Sequence, residues 1–269
     1  MKLRLLCLLA LMIPAVAAAG EFRVPENLTQ GGFYVGKAPE EAEVWFKGRR
    51  IRTTPAGYFP FGLNWKEGKE ISFRVVNGDG SEKDYSFAVR EQKYDVSVVD
   101  GLPPKMVTPP PEVQDRIRKD ALKVKAARKN DSDLADFGKP MVWPLKGRVS
   151  GHFGNHRILN GKPRSPHTGM DIAAPEGAPV VAPWGGKVTM VADLYYTGNT
   201  VIIDHGYGVS TVYCHLSSVA VEEGQQIEQG ADLGRVGMTG RATGPHLHWG
   251  LNWYAERLNP ELSLPEIDN

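Results

Sequence analysis

The sequence predicts a mainly β protein in two parts, a small β-sandwich followed by a larger β unit, joined by a proline-rich connector and one helix. Three observations carry this. Short runs of β-branched and aromatic residues, such as "ISFRVV" and "VSTVYCHL", recur between turns containing glycine or asparagine. Only one stretch, after "DGLPPKMVTPPP", places apolar residues at helical spacing. At 269 residues the chain also exceeds one ordinary domain.

Hydrophobic content of 41% and charged content of 23% are those of a globular protein. A formal net charge of +1 excludes nucleic-acid binding driven by overall charge. Residues 1–19 read as a secretory signal peptide: "MKLR" supplies two positive charges, "LLCLLALMI" an apolar core, and Ala17-Ala18-Ala19 an A-x-A cleavage pattern. That apolar core is too short to span a bilayer and no second candidate follows, so the mature chain is expected to be exported, with no stable membrane anchor. Cys7 lies inside the apolar core and away from the cleavage point, which argues against a lipid anchor. Cys214 is then the only cysteine of the mature chain, and no internal disulfide can form. In "TVYCHL" it alternates with His215, so strand geometry puts the two on opposite faces, and a buried inert thiol is expected.

Residues 20–105 hold the strand candidates "AEVWF", "ISFRVV", "YSFAVR" and "DVSVV", with "KGRR" and "NGDG" as turns, and are expected to form the small sandwich. Residues 106–138 are the connector and helix. Here "EVQDRIRKDALKVKAARKN", from Glu112 to about Asn130, sets Val113, Ile117, Ala121 and Val124 near helical spacing behind Pro111. The helix is basic and weakly apolar. A solvated helix packed by one face is the preferred reading; contact with an anionic polymer is the second. Residues 139–269 carry "GAPVVAP", "GKVTMVAD", "NTVIIDHG" and "VSTVYCHL" as successive strands.

All seven histidines lie at or beyond His152, so the chemistry belongs to this second unit. In "GPHLHWGL", His246 and His248 are two apart and share a face if the segment is a strand. In "PHTGMD", His167 and Asp171 are four apart, again one face of an extended path, with Gly169 to bend it. Taken singly, each pair is ordinary. Together they supply His167, Asp171 and one of His246/His248: three protein ligands with an open fourth position, the pattern of catalytic zinc. The histidine of that pair left free, and His215, are candidates to take a proton from water or to stabilise an oxyanion. His205, before a turn, reads as a structural hydrogen-bonding residue, and His152 and His156 as loop residues. No HExxH helix signals a glutamate base.

These motifs in this order, with "GMDIAAPEGAPVVAP", "GNTVIIDHGYG" and "VEEGQQIEQGADLGRVGMTGRATGPHLHWGL" around them, resemble the lysostaphin/LytM-type zinc metalloendopeptidases that cut peptidoglycan cross-bridges. The resemblance covers residues 139 to about 260. It implies one zinc per chain held by His167, Asp171 and His248, with His215 and His246 activating the water and stabilising the intermediate. It also implies an antiparallel sheet whose groove holds the peptide, and a periplasmic location. The N-terminal half is similar to the small Ig-like domain that precedes the peptidase in exported Gram-negative relatives. A catalytically silent murein-binding activator of amidases is the alternative, which loss of a motif residue would favour; none is lost. A carrier-domain reading of "VEEGQQIEQGADLGRV" lacks the lysine tripeptide it needs.

Overall fold

The computed structural model describes residues 20–265; the segment read as a signal peptide lies outside the described residues. Strand exceeds helix by 41% to 11%, as a mainly β chain requires.

In the N-terminal part the two-residue alternation decides which face is buried. Along Glu70–Val76, Ile71, Phe73 and Val75 are buried while Glu70, Ser72 and Arg74 are exposed. This strand lies in an antiparallel sheet with Arg49–Ile51, Glu43–Phe46 and Glu82–Ala88. A separate antiparallel pair, Phe33–Lys37 with Tyr58–Gly62, brings in Phe59 and Phe61. The rings of Phe46, Phe59, Phe61 and Phe73 meet between the two sheets with centroids 4.5 to 6.0 Å apart, in the offset and edge-on arrangements aromatic pairs prefer. Phe46 also contacts Trp253 at 6.0 Å and Phe33 contacts Trp184 at 5.7 Å, so this core runs on into the C-terminal half.

The segment "DVSVV" forms a strand, Val96–Val99, but stands apart from both N-terminal sheets. It pairs in parallel with His156–Leu159, which forms a hairpin with Lys162–Arg164. Val99 then packs with Leu102, Val107 and Leu159. The helix runs Gln114–Ala127 behind a 3-10 turn at Pro111–Val113. Val124 and Ala127 pack on Met190, Leu194, Ile202, Val212 and Cys214, and Asp120 accepts the Tyr195 backbone N–H at 2.8 Å. Its remaining faces are largely exposed, so it is packed by one side. Among the described residues no helix is long and apolar enough to cross a membrane.

The C-terminal half is built on an antiparallel sheet in the order Gln226–Ile227, Gly186–Leu194, Gly198–Gly206, Val209–Leu216, His246–Trp253, Met170–Ala173, Arg148–Gly151. One face buries Val201, Ile203, Tyr213, Leu247, Trp249 and Leu251 in the main core. The other face carries Ile202, Val212 and Cys214 under the helix. Register continues that second face outward: Cys214 lies opposite His248, and His248 opposite Asp171. The candidate site is therefore the uncovered end of the face whose other end the helix seals.

Candidate metal centre

Asp171 and His248 are register partners on adjacent strands, which fixes their side chains next to each other. His248 Nδ1 lies 2.7 Å from Asp171 Oδ1. His167 precedes the Met170–Ala173 strand and reaches back over it. Its backbone N–H donates to the Asn155 carbonyl and its carbonyl accepts from Gly154, both at 2.9 Å, and its Nε2 sits 3.0 Å from Asp171 Oδ1 and 2.9 Å from His248 Nδ1. Gly169 makes the approach feasible: a Cβ there would stand 2.4 Å from the Trp249 carbonyl and 2.9 Å from His248 Cε1.

The hydrogen-bond roles around His167 bear on whether a metal fits. Its Nδ1 lies 2.9 Å from the His152 carbonyl, which can only accept, so Nδ1 carries the proton. In the neutral ring Nε2 is then a bare lone pair, aimed at a carboxylate oxygen. A single proton on His248 Nδ1 cannot satisfy both neighbours. Three acceptor atoms converging this closely need a cation among them. Their separations of 2.7 to 3.0 Å are a few tenths below the ~3.3 Å edge of a tetrahedron with bonds of about 2.0–2.1 Å, so the donor set fits a zinc-sized ion. It is also the His/Asp group that the structure gathers within ligand distance.

Burial works to raise the Asp171 pKa, but the imidazoles of His167 and His248 against it outweigh burial and hold the carboxyl well below its ordinary range. Burial pushes His248 down to about 4, against the pull of Asp171. Both groups thus carry the protonation state that metal ligation requires.

Two further imidazoles stand beside the donors. The His215 ring is 4.7 Å from that of His246 and 6.2 Å from that of His248. This corrects the expectation that His215 faces away from Cys214's side of the strand. His215 takes a left-handed backbone conformation, φ 64°, at a register shift in its strand, and this breaks the alternation. Its Nδ1–H donates to the Thr239 carbonyl at 2.7 Å, and His246 Nδ1–H donates to the Gly244 carbonyl at 2.9 Å. In both rings Nε2 is left free. Burial, reinforced by His246 and His248, lowers the His215 pKa to about 3, so it stays neutral.

Of the other three histidines, only His152 lines the groove, and none is among the converging donors. His205 is fully buried, bonded through Nδ1 to the Gly185 carbonyl and through Nε2 to Thr211 Oγ1, both at 2.7 Å. The His152 ring pairs with Glu261 at 3.0 Å while its carbonyl orients His167. His156 is exposed and packs edge-on to Trp65. Cys214 is buried against the site's floor, its thiol pushed up to about 12 by burial.

The five site residues lie in a groove of about 390 Å³ whose lining also includes Ser97 and Val99 from the Val96–Val99 strand, Tyr196, and two arginines. Arg157 donates to Asp171 Oδ2 at 3.3 Å, and Arg241 leads into the "GPHLH" strand. Sequence reasoning missed both. Arg241 sits in the quoted motif stretch, but nothing in its spacing marks it as facing the histidines.

An antiparallel sheet here sets two imidazoles and a carboxylate that could hold a metal ion beside two further imidazoles in an open groove. Residues 165–260 match peptidase family M23, and the chain carries an M23 peptidase domain. A solved structure from Pseudomonas aeruginosa, described as an M23 peptidase, superposes with a TM-score of 0.69 at 28% identity over 88% of this chain and 94% of that one. Among curated relatives, the peptidoglycan DD-endopeptidase ShyA of Vibrio cholerae is 43% identical over 107 residues, 39% of this chain and 25% of its own length. The DD-carboxypeptidase/endopeptidase Mpg of Neisseria meningitidis is 41% identical over 134 residues, 48% of this chain and 30% of its own length. The matched stretches thus span between a quarter and a third of these relatives.

Proposed function

We propose that this chain is an exported, periplasmic zinc metalloendopeptidase that hydrolyses peptide cross-links of peptidoglycan, with His167, Asp171 and His248 holding one zinc per chain. The observation that carries this reading is the convergence of His167 Nε2, Asp171 Oδ1 and His248 Nδ1 to within 3.0 Å at the floor of an open groove. The names of ShyA and Mpg support the substrate class.

Zinc bound there would polarise the scissile carbonyl and lower the pKa of water toward neutrality. The chain's own residues do the rest. His215, neutral and with Nδ1–H tied to Thr239, offers the Nε2 lone pair as an acceptor that orients the attacking water. His246 Nε2 takes the proton as the water oxygen bonds to the carbonyl carbon. It then returns that proton to the departing amine nitrogen as the C–N bond breaks. A neutral His215 next to it, 4.7 Å ring to ring, adds no like charge to the imidazolium formed on His246. Arg157, donating to the Asp171 oxygen that faces away from the histidines, keeps the carboxylate oriented. The presence of all five side chains works against a silent amidase activator.

The test combines metal analysis with digestion of isolated sacculi. Wild type carries about one zinc and releases peptide-cleaved fragments whose masses name the cut bond. His248→Ala loses the metal and His246→Ala retains it with turnover down at least ~100-fold. Full zinc occupancy in His248→Ala overturns the ligand assignment, and intact cross-links after wild-type digestion overturn the activity.

A further inference from the structure

One cation lining the groove has no anion to answer it. Arg241 lies between Thr239, whose carbonyl holds His215, and the strand that begins at His246. Its guanidinium stacks over the Tyr196 ring, 4.5 Å to the centroid, and Nη1 reaches only the Met106 carbonyl, at 3.4 Å. Among the described residues no carboxylate forms an ion pair with it, and Asp171 is the only acidic side chain lining the groove. Both Asp171 oxygens are already engaged, one by the two histidines and the other by Arg157. Arg241 is half-buried, and burial, with Arg157 and Arg164 adding like charge, lowers its pKa.

A guanidinium held this way loses hydration without gaining an anionic partner, an arrangement that costs stability unless a ligand supplies the anion. Its backbone is fixed for the purpose. The Arg241 N–H donates to the Tyr196 carbonyl at 2.8 Å, and Gly240 before it, φ 73°, lies so close to the wall that a Cβ would stand 2.5 Å from Gly198 N. A planar fork on a rigid turn suits a planar anion, a carboxylate above all.

We propose that Arg241 is a specificity-determining residue that binds a free carboxylate on the carbon bearing the scissile nitrogen. This rests on the peptidase reading above and names the chemistry its substrate must carry: a leaving amine that belongs to an amino acid with its adjacent carboxylate free.

The test uses the zinc-loaded full chain and two synthetic cross-linked peptides identical except that this group is a carboxylate or a carboxamide. Wild type prefers the acid by about 10- to 100-fold in kcat/KM, the worth of a charge-assisted hydrogen-bonded pair. In Arg241→Gln the ratio falls to about one, and in Arg241→Lys it is intermediate; because the ratio is internal to each variant, a general loss of stability does not move it. Calorimetry with the released amino-acid derivative, as acid or amide, reads the same preference without turnover. If wild type cleaves neither peptide but binds the acid preferentially through Arg241, the peptidase reading falls and the carboxylate site stands. Equal treatment of acid and amide by wild type in both assays, or an unchanged preference in Arg241→Gln, overturns the proposal.

Discussion

Adding one methyl group at Gly169 should damage the metal centre without touching any donor atom. In Gly169→Ala the new Cβ would lie 2.4 Å from the Trp249 carbonyl oxygen, where 3.0 Å is the shortest approach such an atom tolerates, a shortfall of 0.6 Å. The obstacle is backbone of the central His246–Trp253 strand, paired on both sides, so it cannot swing away as a surface side chain would. The relief must come from the His167–Asp171 segment, which moves His167 and Asp171 relative to His248. A displacement of a good fraction of an ångström in a catalytic constellation lowers turnover by about 10²-fold, and overpacking of this kind costs about 1–3 kcal/mol of stability. Zinc affinity, read by competition with a chromogenic chelator, should weaken by about 10- to 100-fold, the scale seen when support around metal ligands is disturbed. Gly138→Ala is the matched control, because nothing lies within 4 Å of a Cβ there, and it should keep wild-type affinity. Wild-type zinc binding by Gly169→Ala would refute the claim that this close approach sets the ligand geometry.

Two further outcomes follow from buried groups. Cys214 is 1% exposed with its thiol pushed up to about 12 by burial, so maleimide labelling of native protein should proceed only through unfolding and accelerate in step with denaturant; rapid labelling in native buffer would show that the helix does not seal this face. His205 has its pKa lowered by burial, with the Gly185 hydrogen bond and the nearby Asp204 and Asp136 opposing that shift. The unfolded chain therefore takes up a proton below about pH 6.5 that the folded protein refuses, and stability falls as pH drops from there, by up to about 1.4 kcal/mol per pH unit. His205→Gln should flatten that dependence in urea titrations between pH 7.5 and 5, and an unchanged slope would mean His205 does not contribute.

What was legible from the chain follows from the range over which each signal acts. The helix announces itself within four turns, through Pro111 and the spacing of Ile117, Ala121 and Val124, and it starts two residues inside the expected boundary. The "HTGMD" and "HLH" pairs were readable because strand and near-strand parity is a local rule, and the structure gathers His167, Asp171, His215, His246 and His248 in one groove. The partner of Val96–Val99 was not readable. Its parallel register with His156–Leu159 joins residues 60 apart, and a short apolar strand carries no label for which sheet it joins. Arg157 and Arg241 escaped for a related reason: an arginine met in a sequence is nearly always a solvated charge, and only the folded arrangement shows one bonded to Asp171 and the other without an anion.

His215 shows why the local rule fails where the chemistry needs it to. Strict alternation would have paired its ring with Tyr213's neighbours in the apolar core, where a neutral imidazole does nothing but displace packing. Turning φ to 64° costs on the order of 1–3 kcal/mol, and the surroundings hold the turn in place: the His215 N–H donates to the Thr197 carbonyl at 2.8 Å, and its Nδ1–H to Thr239 at 2.7 Å. The second of these bonds also fixes the tautomer and the ring plane. The same irregularity that defeats a sequence-based assignment of faces therefore brings a third imidazole beside His246 and His248. A strand obeying its periodicity could present the pair in "HLH" but not this neighbour, so the break in pattern at the end of Val209–Leu216 is itself the signature of the site.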